Sequence, residues 1–323
     1  MKKNNKILEF MANNSRPLSS IGYFVLLMVV FFIGAPEVMI RPNLHQSVFI
    51  MLPIIVFMVV PLVFVITSGE IDLSFASTFG VAAYVFALLV KLGIDPLLCL
   101  IIGVISGGII GICVGSLIVY GRISSLVASL GALFLMRGFL FVASDSRSIS
   151  FVEVRDHWMY ALLVGKFYGF PMQIFWAALF TIFSYYLYRK HVFGLHVHHV
   201  GDNADSAAQM GINVNWVRIG VFAYAGLGAA LAGIFSSLVN FTWWPTQGFG
   251  YLLLALAAVF IGGTPTWGGV GTIVGAVFGV GVVAYMETGV VAIGMSGVWR
   301  QFFNGLIIIL AILGHRFHGT RIR

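Results

Sequence analysis

The sequence predicts an all-α membrane protein of about ten transmembrane helices, and three observations carry that prediction. Of 323 residues, 60% are hydrophobic and only 9% charged, mean hydropathy is +1.01, and apolar runs long enough to cross a bilayer recur from one end to the other. A hydrocarbon layer of ~30 Å needs about 20 helical residues. No stretch between the runs is long and polar enough for a soluble domain, so residues 1–323 read as a single transmembrane domain.

The first span, 21–34, follows a basic start. It lacks a small-residue cleavage pattern, so it reads as a retained anchor. The second, 47–67, stops at Ser68-Gly69-Glu70-Ile71-Asp72-Leu73-Ser74, and the third runs over 73–93. The fourth, 96–120, carries Gly103, Gly107, Gly108, Gly111 and Gly115, spacings that let helix backbones approach closely, in a fixed or a moving interface. The fifth, 124–143, contains Arg137. Residues 144–170 form the longest outer excursion, with charges of both signs, suited either to dock a soluble partner or to cover the helix ends.

The sixth and seventh spans, 171–188 and 218–239, flank a polar loop over 189–218. The eighth, 246–261, has an apolar core of only eleven residues over 251–261, about 16 Å of helix, too short to cross unless it is extended backward or broken within the membrane. A second break, Gly262-Gly263-Thr264-Pro265-Thr266-Trp267-Gly268-Gly269, leads into the ninth span, 270–293, which bears Gly271, Gly275, Gly279, Gly281 and Glu287. The tenth is 299–313, with Gln301 and Asn304. Interrupted segments in two halves of a chain point to a transport pathway between internal repeats. If spans two to five match spans seven to ten, the intervening sixth makes the repeats inverted. Two ordinary turns are the alternative.

Basic residues set the sidedness. With the N-terminus inside, Lys2, Lys3, Lys6, Arg16, Arg122, Arg189, Lys190, Arg218, Arg316, Arg321 and Arg323 fall on the inner side. Arg41, Lys91, Arg147, Arg155, Lys166 and Arg300 fall outside, an inner excess that puts both termini inside. The net charge of +7 is therefore a topology signal. It is spread over several short segments rather than gathered on one nucleic-acid face. Cys99 and Cys113 lie fourteen residues apart on one expected helix, about 21 Å, too far to pair.

Within 189–218 the stretch Gly201 to Arg218, GDNADSAAQMGINVNWVR, puts a capped polar helix between two apolar spans. Asp202 is the expected cap, Asp205 sits near the positive helix end, and Gly211 is suited to a left-handed stop, so 203–210 reads as two turns. Two turns are marginal alone in water, which asks for a partner surface. His191, His196, His198 and His199 precede it. Without a closed set of four ligands they read as part of a solvated inner loop rather than a metal site. No Gly-x-x-x-x-Gly-Lys-Ser/Thr is present and no nucleophile–base set is recognisable, so the chain is not expected to be an enzyme.

Four blocks, in order, carry a resemblance. They are Ser68 to Ser74; Tyr120-Gly121-Arg122-Ile123-Ser124-Ser125-Leu126-Val127-Ala128-Ser129-Leu130-Gly131 with Arg137-Gly138; Val200-Gly201-Asp202-Asn203 through Met210-Gly211-Ile212-Asn213; and Ile261-Gly262-Gly263-Thr264 with Gly268-Gly269. Over roughly 47–315 the chain resembles the membrane permeases of sugar-type ABC importers: the ribose, xylose, arabinose and galactose systems and their autoinducer-2 relatives. It departs at Glu70, where those permeases commonly have Gly, and at Glu287-Thr288-Gly289, where an Asn-Gly pair is usual.

The resemblance implies a bacterial inner-membrane subunit that works beside a second permease copy or a similar permease. It also implies cytoplasmic ATPase subunits that bind ATP and Mg, and an external solute-binding protein. This chain then needs no cofactor of its own. ATP work done by a partner makes Asp202, Asn203, Ala204, Asp205, Ser206, Ala207, Ala208, Gln209, Met210 and Gly211 the expected coupling element.

For the pathway, Glu70, Asp72, Gln301 and Asn304 are polar groups that could face water or solute, or for the last two bond between helices. Arg137 lies about 20 Å and Glu287 about 26 Å from the inner ends of their spans, so the two either pair or line the outer mouth. A monosaccharide is the expected cargo. Amino acids or nucleosides, an ATP-independent carrier, and a non-transporting scaffold are the alternatives.

Overall fold

The computed structural model describes residues 15–296 and positions 298, 299, 302, 303, 305, 306 and 309. In chain order the helices are α1 (Ser15–Gly34), α2 (Pro36–Met39), α3 (Pro42–Thr67), α4 (Phe75–Lys91), α5 (Pro96–Gly121), α6 (Ser125–Ala143) and α7 (Trp158–Val164). They continue with α8 (Met172–Arg189), α9 (Val192–Asp202), α10 (Ala204–Gln209), α11 (Val214–Asn240), α12 (Tyr251–Ile261) and α13 (Ile273–Ala292). Four two-residue strands, β1 (Ile149–Ser150), β2 (Lys166–Phe167), β3 (Phe170–Pro171) and β4 (Thr242–Trp243), pair as β1 with β4 and β2 with β3, all antiparallel.

The architecture is all-α and multi-pass. Among the described residues six helices, α1, α3, α5, α6, α11 and α13, are long and apolar enough to cross a membrane, while α4 and α12 are shorter apolar helices. That is fewer than the ten spans expected from hydropathy. The reason is local: polar turns trim α4 and α12 at their starts, α8 has only 18 residues and carries Gln173, Thr181, Ser184, Tyr185, Tyr186, Tyr188 and Arg189, and the expected span 299–313 lies largely outside the described residues. Gln301 and Asn304 lie outside them as well.

Helix α3 is the centre of the bundle, packed by α8, α11, α12 and α13 and buried continuously from Pro53 to Thr67. It stays helical through Pro53 and Pro61. Pro61 has no N–H to offer the Phe57 carbonyl, and a side chain at Gly228 of α11 would come within 2.2 Å of that oxygen, so only a bare Cα fits there. The α5 glycines take the packing role. Added Cβ atoms at Gly115, Gly111 and Gly107 would strike Ile219, Phe222 and Gly226 of α11, an order that makes the two helices antiparallel with their backbones in contact. Outward, α1, α5 and α6 present apolar side chains such as Leu26, Ile33, Ile105, Ile109, Leu135 and Val142, as lipid-facing helices do.

One end of the bundle collects the turns at 68–74, 122–124, 203–213 and 262–272; the other collects 144–171 and 241–250. At that second end the excursion 144–170 folds down over the helix ends. Phe151, Val154 and Met159 are buried, β1 pairs with β4, and Trp243 is fully buried with its Nε1–H donating to Gly80 O at 2.9 Å. Its charged residues Glu153, Arg155 and Asp156 remain on the exposed face.

Several boundaries differ from those read in the sequence. Helix α11 starts at Val214, four residues before the expected 218, because the Asn213 side chain accepts from Trp216 N. Helix α12 is not extended backward as a helix. Residues 244–250 turn instead, and the Gln247 side chain is buried there against Ser236 and Ser237. The stretch expected to be a solvated loop is the eleven-residue α9. His191 caps it by accepting from Phe193 N, and Gly194, Val197 and Val200, spaced by three, form its buried face.

Candidate functional site

The short helix α10 forms where the sequence placed it, with one correction at its start. Asn203, not Asp202, is the cap: its Oδ1 accepts from Ser206 N at 2.9 Å, while Asp202 closes the preceding α9. The reason is that α9 uses 202 as its last turn, so the first non-helical residue is Asn203, which serves both helices as terminal residue. Asp205 lies in the first turn, where the helix dipole favours a carboxylate. At the other end Gly211 takes a φ of +83°, Gly211 N donates to Ala208 O and Ile212 N to Ala207 O, and Ile212 and Ala207 are buried together. That is a Schellman stop, open to glycine because a Cβ disfavours this φ. Ala207 is fully buried, while Asp205, Ser206, Ala208, Gln209 and Met210 are exposed. One face of α10 is thus anchored and the other free for a partner.

Beside it, three pieces of chain meet backbone to backbone. Gly269 N donates to Thr67 O at 2.8 Å, joining the turn before α13 to the end of α3. Gly201 in the last turn of α9 lies so close that an added Cβ would be 1.7 Å from Thr67 O and 2.6 Å from Gly269 N. His198, also on α9, bonds through Nδ1 to Gly269 O at 2.9 Å and packs its ring on Tyr188 at 4.6 Å. Because a carbonyl only accepts, Nδ1 carries the proton. Burial lowers the His198 pKa from its ordinary value, with nearby Arg189 and His199 adding to the effect and the Gly269 bond opposing it. The Tyr188 and Thr67 hydroxyls bond to each other at 2.7 Å.

Of the expected pathway residues, Glu70 and Asp72 sit at this same end. Glu70 is buried with Oε1 2.7 Å from Arg218 Nε, an ion pair between the first turn and the start of α11. The contact is Coulombic rather than a well-aligned hydrogen bond. Asp72 is buried and accepts from Ser74 N at 2.7 Å and Ser74 Oγ at 2.6 Å, at the N-terminus of α4. Burial pushes its carboxyl up to about 6, while the bonds from Ser74 and Phe75 pull the other way.

Arg137 and Glu287 lie apart from this cluster. The Arg137 guanidinium stands 4.6 Å over the Phe249 ring, with Nε and Nη2 buried and without hydrogen-bond partners. Glu287 lines a cavity of about 500 Å³ with Arg41, Asn43, Ser47 and Thr288 where α13 ends and α3 begins. The described candidates therefore fall in three places rather than one. Among the described residues no group of three His, Cys, Asp or Glu is placed to hold a metal ion.

His198, Tyr188, Thr67 and Arg218 were not singled out from the sequence as site residues. The three-residue spacing of Gly194, Val197 and Val200 is a sequence signal that α9 is a packed helix. Nothing local marks which carbonyl His198 would reach.

Comparison with known proteins follows the same lines. The family described as branched-chain amino acid transport system / permease component matches residues 45–312. The chain is 30% identical to the ribose import permease of Bacillus subtilis (strain 168) over 250 residues, 77% of each chain. It is 28% identical to the L-arabinose ABC transporter permease of Azospirillum brasilense over 93% of this chain and 87% of that one. To the autoinducer 2 import system permease of Salmonella typhi it is 29% identical over 94% and 86%. No solved structure matches the chain. A multi-pass helical bundle, an anchored and capped loop helix, and a match over most of its length together place the chain in the branched-chain amino acid transport system / permease component family.

Proposed function

We propose that this chain is the permease subunit of a binding-protein-dependent ABC importer in the bacterial cytoplasmic membrane, moving a monosaccharide inward on ATP hydrolysed by a partner. The observation that carries the reading is α10, a helix capped at both ends, buried through Ala207 and exposed through Asp205, Gln209 and Met210. Such an element is stable enough to be pushed as a body and open enough to be gripped. In this reading both termini and α10 are cytoplasmic, and a second permease copy completes the pore. The two turns at 68–74 and 262–272 are corresponding breaks of an inverted repeat with about ten spans. An external binding protein meets the 144–170 end and performs most of the solute recognition.

Sugar is favoured because the named functions of the ribose and arabinose permeases lie over matched stretches of 77% and 93% of this chain. A second reading, a branched-chain amino acid as cargo, has the family description in its favour. Reconstitution with the cognate ATPase and binding protein separates them. Labelled ribose is expected to accumulate in vesicles only with ATP on the ATPase side, unaffected by excess leucine. Uptake of leucine alone would give the second reading, and uptake that follows an ion gradient and ignores ATP would reject both.

A further inference from the structure

We propose that Gly201, His198 and Gly269, with Thr67 and Tyr188, form a rigid joint that delivers any displacement of α10 to the turns at 68–74 and 262–272 at once. The inference rests on the coupling role of α10 and says how that motion enters the bundle. The joint lies between elements far apart in sequence: α9 carries Gly201 and His198, α3 ends at Thr67, α8 supplies Tyr188, and Gly269 leads into α13.

Its stiffness has two sources. The first is contact without side chains. An added Cβ at Gly201 would overlap Thr67 O, and one at Gly268 would come within 2.7 Å of Gly201 O and 3.0 Å of Gly69 Cα. Packed backbone leaves no flexible atoms to absorb a shift, so a push on one chain is passed to the next. The second is a chain of bonds: Gly269 N–H to Thr67 O at 2.8 Å, His198 Nδ1–H to Gly269 O at 2.9 Å, and the Tyr188 and Thr67 hydroxyls at 2.7 Å. His198 is the one side chain that reaches from α9 to the turn before α13 in this set. It is a positioning residue.

The connection to α10 is equally short. Asn203 ends α9 and caps α10, so no free linker separates the helix a partner would grip from the joint. Downstream, Thr272 Oγ1 accepts from Gly275 N at the start of α13, and Thr272 N donates to Thr264 Oγ1 at 3.4 Å, so the second turn is closed on itself. Motion at Gly269 therefore reaches α13, and motion at Thr67 reaches α3, the central helix. One input drives two helices from the two halves of the chain.

The test uses the full permease assembled with its ATPase and binding protein, with Cys99 and Cys113 replaced by serine and spin labels on paired cysteines. One pair, Leu195→Cys on α9 and Trp267→Cys, spans the joint at exposed positions; the other, Leu195→Cys and Tyr168→Cys, runs to the opposite end. Between the nucleotide-free and ATP-trapped states the first distance is expected to stay fixed while the second changes. A change in the first distance during normal uptake would overturn the joint and leave the coupling role of α10 standing. No change in either would reject the coupling role, and the joint with it. A functional arm uses H198A, expected to lower solute moved per ATP hydrolysed about tenfold, the loss of one buried hydrogen bond. H198N, whose amide can donate from the Nδ1 position, is expected to recover most of it. Equal loss in H198A and H198N would show a packing role only and overturn the bond's part in the joint.

Discussion

At the scale of single residues, His198 is the most informative side chain. Its pKa is lowered by burial from the ordinary 6.5, so the folded state favours the neutral ring. A group depressed in this way contributes stability that is full above 6.5 and is lost as pH falls through the folded value. Protonation does not break the Nδ1–H donation to Gly269; it adds a charge to a site that is poorly solvated. Thermal unfolding of the purified permease between pH 7.5 and about 5 is therefore expected to show a steeper acid loss for wild type than for H198N. Identical slopes would mean that His198 is solvated. Asp72 has the opposite sign. Its carboxyl, raised to about 6, contributes stability present below 3.8 and lost as pH rises through 6. D72N, which keeps an acceptor for Ser74 N without the charge, is expected to match or exceed wild-type stability at pH 7.5. A loss of more than about 1 kcal/mol would show that the anion itself is needed.

Elements rather than residues decide how the turn end holds together. The Glu70–Arg218 ion pair ties the first turn to the start of α11, across the mouth of the loop that carries α10. Removing Arg218 alone leaves a buried carboxylate uncompensated, a loss of about 3 kcal/mol at the lower end of the range for such pairs because Arg218 is a third exposed. R218A is expected to assemble poorly, and the exchange E70R with R218E to recover much of the stability and uptake. An exchange no better than R218A would mean that the local dipoles, and not the pair, set the charge at each position.

The same elements show what was legible in advance. α10 was readable because its signals are local: a cap, an early Asp and a glycine stop within nine residues. It was misplaced by one at the cap because α9, hidden by its histidines, claimed Asp202. α9 itself was passed over since polarity was weighed above the spacing of Gly194, Val197 and Val200. The joint was not legible at all, because it depends on which carbonyl meets which glycine across three distant segments.

For the whole molecule, the division of labour follows from packing. α3 and α11 pack backbone to backbone at Gly228, and α5 packs on α11 in the same manner through Gly107, Gly111 and Gly115. Apolar faces of α1, α5 and α6 turn outward, and the polar cluster sits at one end with α10 at its surface. Arg137 and Glu287 were expected either to pair or to face the pathway near the outer mouth; Arg137 stands over Phe249, and Glu287 lines the cavity with Arg41. Hydropathy located the long helices well because burial and lipid exposure both select apolar residues. At α4 and α12 the helices are shorter than the runs read from hydropathy, because a hydropathy window does not see where a turn begins.

The central claim is that α10 converts work done by a partner ATPase into movement of the bundle. The most direct measurement is solute taken up per ATP hydrolysed by the reconstituted complex carrying D205K and A207K, which reverse the charge of the first turn and fill the fully buried anchor position. The account predicts that membrane insertion is retained and ATP is still hydrolysed, while uptake per ATP falls by about tenfold or more, as expected when at least ~1.4 kcal/mol of coupling is lost. A wild-type ratio in that variant would contradict it.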